Sequence, residues 1–526
     1  MEGGPGRLRP AERGRGARAR RPGRPALRRR RPHVRHPRPV PTAVRGPRRE
    51  PRPARPASGR PAPAGRTLAG AHRIRDGPVT AGRRRLFTLL GALVAVGALL
   101  GSLAVLGPKD HGERPAHWFG TLQTDPGRAA EEHEHGVRVA HLSIDWDRFE
   151  PEDGTFDRAY IGSVRNELRA LTEAGALVEA GIGLHHPPAW LFEKHPDAAF
   201  VNQDGRRSTR VPNIVFSRAV RAEAAQYMTG IAEEIGMEDF WSIRIGVSET
   251  GEFTYPPPLD ADGDRGEFWA YDANAQAAAG APGRPATVPP SPYPGWRPGQ
   301  RTLDGRPFTT AQVGRWHDWY VTALTDAVNW QIRTYRSLGH SALLKVLVPG
   351  KGYLPQDRAR ATAEYLGGRT AGPLIGRGAG YFLTLGRVEP RDDVQIVSTA
   401  LVDGSGTPAD NACAPGDAVT APLAVSGAGS ASGAGSASAA AVRRWSSVRW
   451  VAAVAGRAGF PVSGESAGPQ VSPYYPGVMD VAARQMDSCG LEGLMWAFDR
   501  QLYDGTPGSS LRDYAEVIER YARPSA

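Results

Sequence analysis

Residues 177–191 read Leu-Val-Glu-Ala-Gly-Ile-Gly-Leu-His-His-Pro-Pro-Ala-Trp-Leu, a short apolar run that stops at two histidines and two prolines. An apolar run of that length, bounded by turn residues and set between amphipathic stretches, is the mark of a buried parallel strand. The same alternation recurs from His117 to about Ala522, with strand candidates at His117–Gly120, Val137–Ser143, Leu177–Leu184, Ser242–Val247, Leu343–Val348, Val394–Ala400, Pro461–Gly464 and Gly493–Phe498. Eight strands with helices between them are what a (β/α)8 barrel requires. The expected fold class is therefore α/β, a TIM barrel with long inserted loops over residues 112–526. The surplus length falls at residues 256–312, rich in Pro, Gly and Asp after the fourth strand, and at 403–442, which include Ser426-Gly427-Ala428-Gly429-Ser430 after the sixth. Both insertions lie on one face, where barrel active sites are built.

Upstream of the barrel the composition changes. The 526 residues carry a net charge of +12, but residues 1–85 alone hold 26 Arg, no Lys and 4 acids, so the remainder is acidic. A nucleic-acid partner is not expected for the folded domain, because backbone binding needs clustered Lys and Arg. Residues 1–85 read as a disordered Arg/Pro-rich tail with too few apolar side chains to offset the entropy of ordering. Residues 86–106 are uncharged and follow Arg83-Arg84-Arg85, which reads as a transmembrane anchor or signal segment with the domain outside the cell membrane, or secreted after cleavage. An exported domain with Cys413 and Cys489 permits one disulfide, and the sequence leaves the pairing open. Neither a metal nor another cofactor is expected: Cys/His metal spacing and phosphate-loop signatures are missing. Asp260-Ala261-Asp262-Gly263-Asp264-Arg265-Gly266-Glu267 spaces acids like a calcium loop but places its glycine one position late, and reads as a polar turn. Glu132-His133-Glu134-His135 reads as a charged helix face before the second strand.

Strand ends carry the chemistry of a barrel, and glycoside cleavage needs two carboxylates there. The second strand ends in Ile144-Asp145-Trp146-Asp147-Arg148-Phe149-Glu150-Pro151 and the third in His185-His186-Pro187-Pro188-Ala189-Trp190-Leu191. The fourth ends in Ser248-Glu249-Thr250-Gly251-Glu252-Phe253-Thr254-Tyr255-Pro256, the seventh in Ser463-Gly464-Glu465-Ser466, and the eighth in Met495-Trp496-Ala497-Phe498-Asp499.

Trp146 to Asp157 resembles the W-x-R-x-E-P-x-x-G-x-Y/F-D segment of clan A glycoside hydrolases. Pro187-Pro188-Ala189-Trp190-Leu191 with His195-Pro196-Asp197 is similar to the P-P-A-W-L…H-P-D stretch of family 42 β-galactosidases. The resemblance runs in order along residues 117–500 and is strong over 137–200. It implies a clan A barrel whose acid/base follows strand four and whose nucleophile follows strand seven. Where the clan has Asn-Glu this chain has Ser248-Glu249, while Gly251 to Pro256 resembles the G-E-L-R-Y-P segment of β-amylases, whose Glu is the general acid. Two carboxylates, Glu249 and Glu252, thus compete for one role, with Glu252 preferred. Glu465 is the expected nucleophile. Substrate contacts are expected from the flat faces of Trp146, Trp190, Tyr255 and Trp496, the last being a clan feature, and from the polar groups of Asp145, Arg148, His185, His186 and Asp499. The expected function is an extracytoplasmic glycoside hydrolase, retaining by the clan's pattern, acting on β-linked glycosides. The alternative is a barrel that binds carbohydrate or cell wall without cleaving it.

Overall fold

In the computed structural model, residues 116–259, 265–389, 392–422 and 437–523 are described, without the side chains of 368–371. The basic tail, the apolar run at 86–106, the acids at 260–264 and the centre of the Gly/Ser/Ala insertion lie outside the described residues. Among the described residues, no helix is long and apolar enough to cross a membrane.

Each of the eight expected apolar runs forms a strand: β1 (Trp118–Thr121), β2 (Val139–Asp145), β3 (Leu177–Gly183), β4 (Ser242–Ile245), β5 (Leu343–Val348), β6 (Val394–Leu401), β7 (Val462–Ser466) and β8 (Gly493–Trp496). Each pairs in parallel with its neighbour in the chain, and β8 returns to β1 in the register Trp118↔Gly493 to Thr121↔Trp496, closing the barrel. Closure leaves none of the eight with an unpaired edge.

Side-chain alternation sorts each strand into an outer and an inner row. In β4, Ile243 and Ile245 join the large apolar core, which turns Ser242 and Arg244 into the barrel. The same parity turns Glu179 of β3, Lys345 of β5 and Glu465 of β7 inward, beside a small inner cluster of Leu122, Val139, Met495 and Ala497. Charged side chains therefore share the barrel interior with this apolar cluster and with buried polar groups such as Ser242, Gln395 and Ser463.

The outer helices begin where side chains can satisfy their first amides. Asp157 accepts from Ala159 and Tyr160 to start α1 (Arg158–Glu173). Ser217 caps α2 (Arg218–Glu234), and Thr309 with Gln312 forms a capping box on α3 (Thr310–Ser337). Such a cap contributes about 1 kcal/mol. Following β7 come α4 (Val478–Ser488) and, after β8, α5 (Leu511–Tyr521), whose Leu511, Tyr514, Val517 and Ile518 recur at helical spacing and are buried. The insertion after β4 has little regular structure beyond a small hairpin, Thr302–Leu303 with Arg306–Pro307, and is held instead by aromatic packing. Tyr255 stacks on Tyr320 of α3 at 4.1 Å and Trp296 on Phe308 at 4.7 Å. Cys413 and Cys489 are disulfide-bonded at 2.00 Å, joining the segment after β6 to the end of α4 across 76 residues of chain.

The helix Ala129–Glu134 corrects one expectation. Glu132 is not on a solvated face but buried, accepting from Thr121 at 3.0 Å and Tyr503 at 3.2 Å.

Candidate active site

A cavity of about 480 Å³ opens at the C-terminal ends of the strands, and residues of all eight strands or of the segments that follow them line it. Its volume lies within the range of small-ligand sites. Glu252, Glu465, His185 and His186 line it, which brings together four of the expected site residues from three strand ends.

Glu252 reaches the cavity because the chain doubles back after β4. Val247 and Ser248 both donate their amides to the Glu252 carbonyl, at 2.8 and 3.0 Å. A Cβ on Gly246 would fall 1.9 Å from the Gly251 carbonyl oxygen, and Gly251 itself has φ +69°, so two glycines make the reversal possible. The carboxylate then accepts from Thr399 at 2.6 Å on one oxygen and from Thr250 on the other. Glu249, on the same turn, does not line the cavity, and its Oε2 is buried without a hydrogen-bond partner.

Glu465 lies at the inner end of β7, 9% exposed. Arg244 donates Nη2 to its Oε2 at 2.7 Å and Nη1 to Glu179 at 2.9 Å, so one guanidinium spans two carboxylates. Burial raises the pKa of Glu465, Arg244 opposes that, and Glu252 adds to the rise. Burial also works against charge on Glu179, but Lys345 and Arg244 overcome it and bring its pKa down to about 2.

His141 of β2 and His185 line the cavity as neutral imidazoles: burial, with Arg244 adding to it for His141 and with His186 and Arg244 adding to it for His185, pushes both down to about 3. Neutral imidazole can both donate and accept, the pairing that a sugar hydroxyl requires. Asp145 does not line the cavity but lies 3.8 Å from His186 and 3.9 Å from Arg148. Arg148 points its guanidinium over the Tyr160 ring at 4.3 Å, away from the role of substrate contact.

The aromatic contacts expected from sequence are corrected by burial. Trp146 is 0% exposed, stacked on Tyr227 at 5.2 Å, and donates to Glu150 at 2.9 Å. Trp190 donates to the Glu150 carbonyl at 2.9 Å. Together with Asp157 at the start of α1, these contacts make the Trp146–Asp157 motif a bracket that holds the loop after β2, outside the cavity lining. Tyr255 is buried against Tyr320. Trp496 alternates outward with Leu494, between Tyr474 and Tyr514, and donates to Ser509 at 3.0 Å. Asp499 is buried and accepts the Asp125 amide at 2.9 Å. Of the Phe, Tyr and Trp side chains among the described residues, Phe498 is the one at the cavity wall.

Arg244, His141, Gln123, Thr399, Asp403 and Gln470 line the cavity without having been singled out in the sequence. Parity could have found the first two. A charged or imidazole side chain in the inner row of an apolar strand has to meet a partner inside the barrel.

Residues 114–239 match the glycoside hydrolase family 42 model, described as β-galactosidase. The chain is 31% identical over 94 residues to the β-galactosidase BgaA of Clostridium cellulovorans, covering 18% of this chain and 14% of that protein. It is 30% identical over 126 residues to the β-galactosidase BgaA of a Thermus species, covering 23% and 19%. These matches span less than a fifth of either relative's length. The catalytic domain of the β-amylase of Paenibacillus polymyxa superposes with a TM-score of 0.50 at 16% identity, over 78% of this chain and 100% of that one, a likeness of fold. Residues 114–239, which hold the first three strands of the barrel, are thus similar to family 42 β-galactosidases, and the barrel as a whole shares its fold with the β-amylase domain.

Proposed function

We propose that the chain is a glycoside hydrolase that cleaves β-linked glycosides with retention, Glu252 serving as acid/base and Glu465 as nucleophile. The observation that carries the reading is that these two carboxylates, one after β4 and one on β7, line a single cavity at the C-terminal end of the barrel. Glu252 protonates the departing oxygen and later activates water. Glu465 attacks the anomeric carbon, and Arg244 holds its Oε2 so that the other oxygen meets the sugar. His141, His185 and Gln470 offer hydrogen bonds to hydroxyls, and Phe498 offers an apolar face. A site outside the cytoplasm suits the Cys413–Cys489 disulfide, since oxidising compartments preserve such bonds.

The test is a screen of aryl β-glycosides with the full chain and its Glu465→Gln, Glu252→Gln and Glu249→Gln variants. Turnover should fall about 10²–10⁴-fold for Glu252→Gln and at least as far for Glu465→Gln, with a smaller loss for Glu249→Gln. Proton NMR of the first-formed product should show the β-anomer. An α-anomer would mean inversion, and activity untouched by Glu465→Gln would remove the nucleophile assigned here.

A further inference from the structure

Inside the barrel, below the cavity, four ionisable side chains form one connected chain. Lys345 of β5 donates to Glu179 Oε2, which also accepts from Ser242 at 3.0 Å. Glu179 Oε1 accepts from Arg244, and Arg244 reaches Glu465 with its other nitrogen. The Lys345 ammonium sits 4.0 Å from the Trp118 ring centroid and 4.2 Å from that of Trp241. Side-chain exposure is 1% for both Lys345 and Glu179, 14% for Arg244 and 12% for Glu465, so water screens little of this chain.

Ion pairs this deep are costly to desolvate and are seldom the most stable way to fill a barrel. Two apolar residues at 179 and 345 would fill the interior too, and Arg244 would then belong to Glu465 alone. The pair at 179 and 345 divides that guanidinium between two carboxylates.

We propose that Glu179 and Lys345 are positioning residues for Glu465, acting through the Arg244 guanidinium that both carboxylates share. The inference rests on Glu465 being one of the two reacting groups. Glu179 draws part of the Arg244 charge away from Glu465, and Lys345 neutralises Glu179 from the far side and limits how much is drawn. The groups that face Glu465 are Arg244 from β4, Glu252 from the turn after β4, Glu179 from β3, Lys345 from β5 and Tyr474 from the segment after β7. Of these, Glu179 and Lys345 do not line the cavity, so they can be changed without touching a sugar.

The two residues act with opposite signs. Glu179→Gln removes a negative charge and frees Arg244, which lowers the Glu465 pKa. Lys345→Met leaves Glu179 uncompensated, which raises it. Each shift should be of the order of one pH unit. The double variant Glu179→Gln/Lys345→Met leaves Arg244 to Glu465 alone but removes the Lys345 charge as well, so its Glu465 pKa should lie between those of the parent and Glu179→Gln, while Lys345→Arg should stay at the parent value. The measurement is a difference infrared titration of the Glu465 carboxyl in the full chain, with Glu465→Gln as the subtracted reference, together with the pH profile of kcat/KM on an aryl β-glycoside. Opposite shifts in the two single variants, with the double variant between the parent and Glu179→Gln, support the inference. Shifts of the same sign, no shift, or a double variant outside that interval overturn it. The titration needs no turnover, so opposite shifts in a protein that cleaves no glycoside would retain the electrostatic link and refute the proposed activity instead.

Discussion

Arg244 Nη2 stands 2.7 Å from Glu465 Oε2, and Arg244 belongs to the strand whose end carries Glu252. One short strand therefore fixes one carboxylate through its main chain and grips the other through a side chain. Replacing Arg244 with Met leaves Glu465 without its charged partner. A hydrogen bond to a charged group contributes about 1.5–3 kcal/mol, so kcat/KM should fall about tenfold to a hundredfold. Steady-state kinetics on an aryl β-glycoside checks this, and an unchanged kcat/KM would show that the ion pair serves folding alone.

Trp496 supplies a test of the corrected aromatic placement. Its ring lies between Tyr474 and Tyr514 and its Nε1 donates to Ser509 at 3.0 Å, all outside the cavity lining. Trp496→Phe should lower stability by about 1–3 kcal/mol, from the lost hydrogen bond and packing. KM should stay within about twofold, since uniform binding is untouched. Urea denaturation and a KM determination separate the two effects, and a large rise in KM at unchanged stability would return Trp496 to the sugar site.

Much of the barrel was legible because each strand is short, apolar and bounded by turn residues. The aromatic contacts were not, for a geometric reason. A strand-end residue faces the cavity or the helices according to its parity, and a one-residue change of register exchanges the two. Trp496 and Glu465 are both near strand ends, yet Trp496 shares the outer row with Leu494 while Glu465 sits opposite Met495 in the inner row. Trp146 belongs to a short helical turn, Trp146–Phe149, where strand parity no longer applies. Arg244 and His141 could have been read as inner-row residues by asking which charged or imidazole groups interrupt an apolar strand. The Trp146–Asp157 motif was a correct guide to kinship and a poor guide to contacts, since its side chains bond one another and cap α1.

The Cys413–Cys489 bond joins residues 76 apart in the chain, and the loop it closes includes β7 and all of α4. On loop-entropy grounds a closure of this length contributes about 4 kcal/mol. Adding a reductant, or making Cys413→Ala/Cys489→Ala, should lower the thermal midpoint by several degrees. Calorimetry with and without dithiothreitol checks this, and equal midpoints would show that the unfolded chain gains nothing from release.

Glu132 predicts a pH dependence. Burial, reinforced by Asp499 beside it, pushes its pKa up from 4.5 to about 9. The folded chain thus keeps a proton that the unfolded chain releases above pH 4.5, so the stabilisation is complete below that pH and is lost as pH rises through about 9. Glu132→Gln mimics the protonated group and should match the parent at pH 5 while exceeding it in urea midpoint at pH 9. Identical pH profiles for the two proteins would rule out a buried neutral carboxyl.

The pinch between Gly246 and Gly251 means that the reach of Glu252 is dictated by main-chain closure more than by choice of rotamer. That wall has no slack for insertions or bulkier residues. The opposite wall, where Ala467, Gln470 and the solvent-facing Val471 follow β7, is where mutation could reshape the entrance while leaving Glu252 in place.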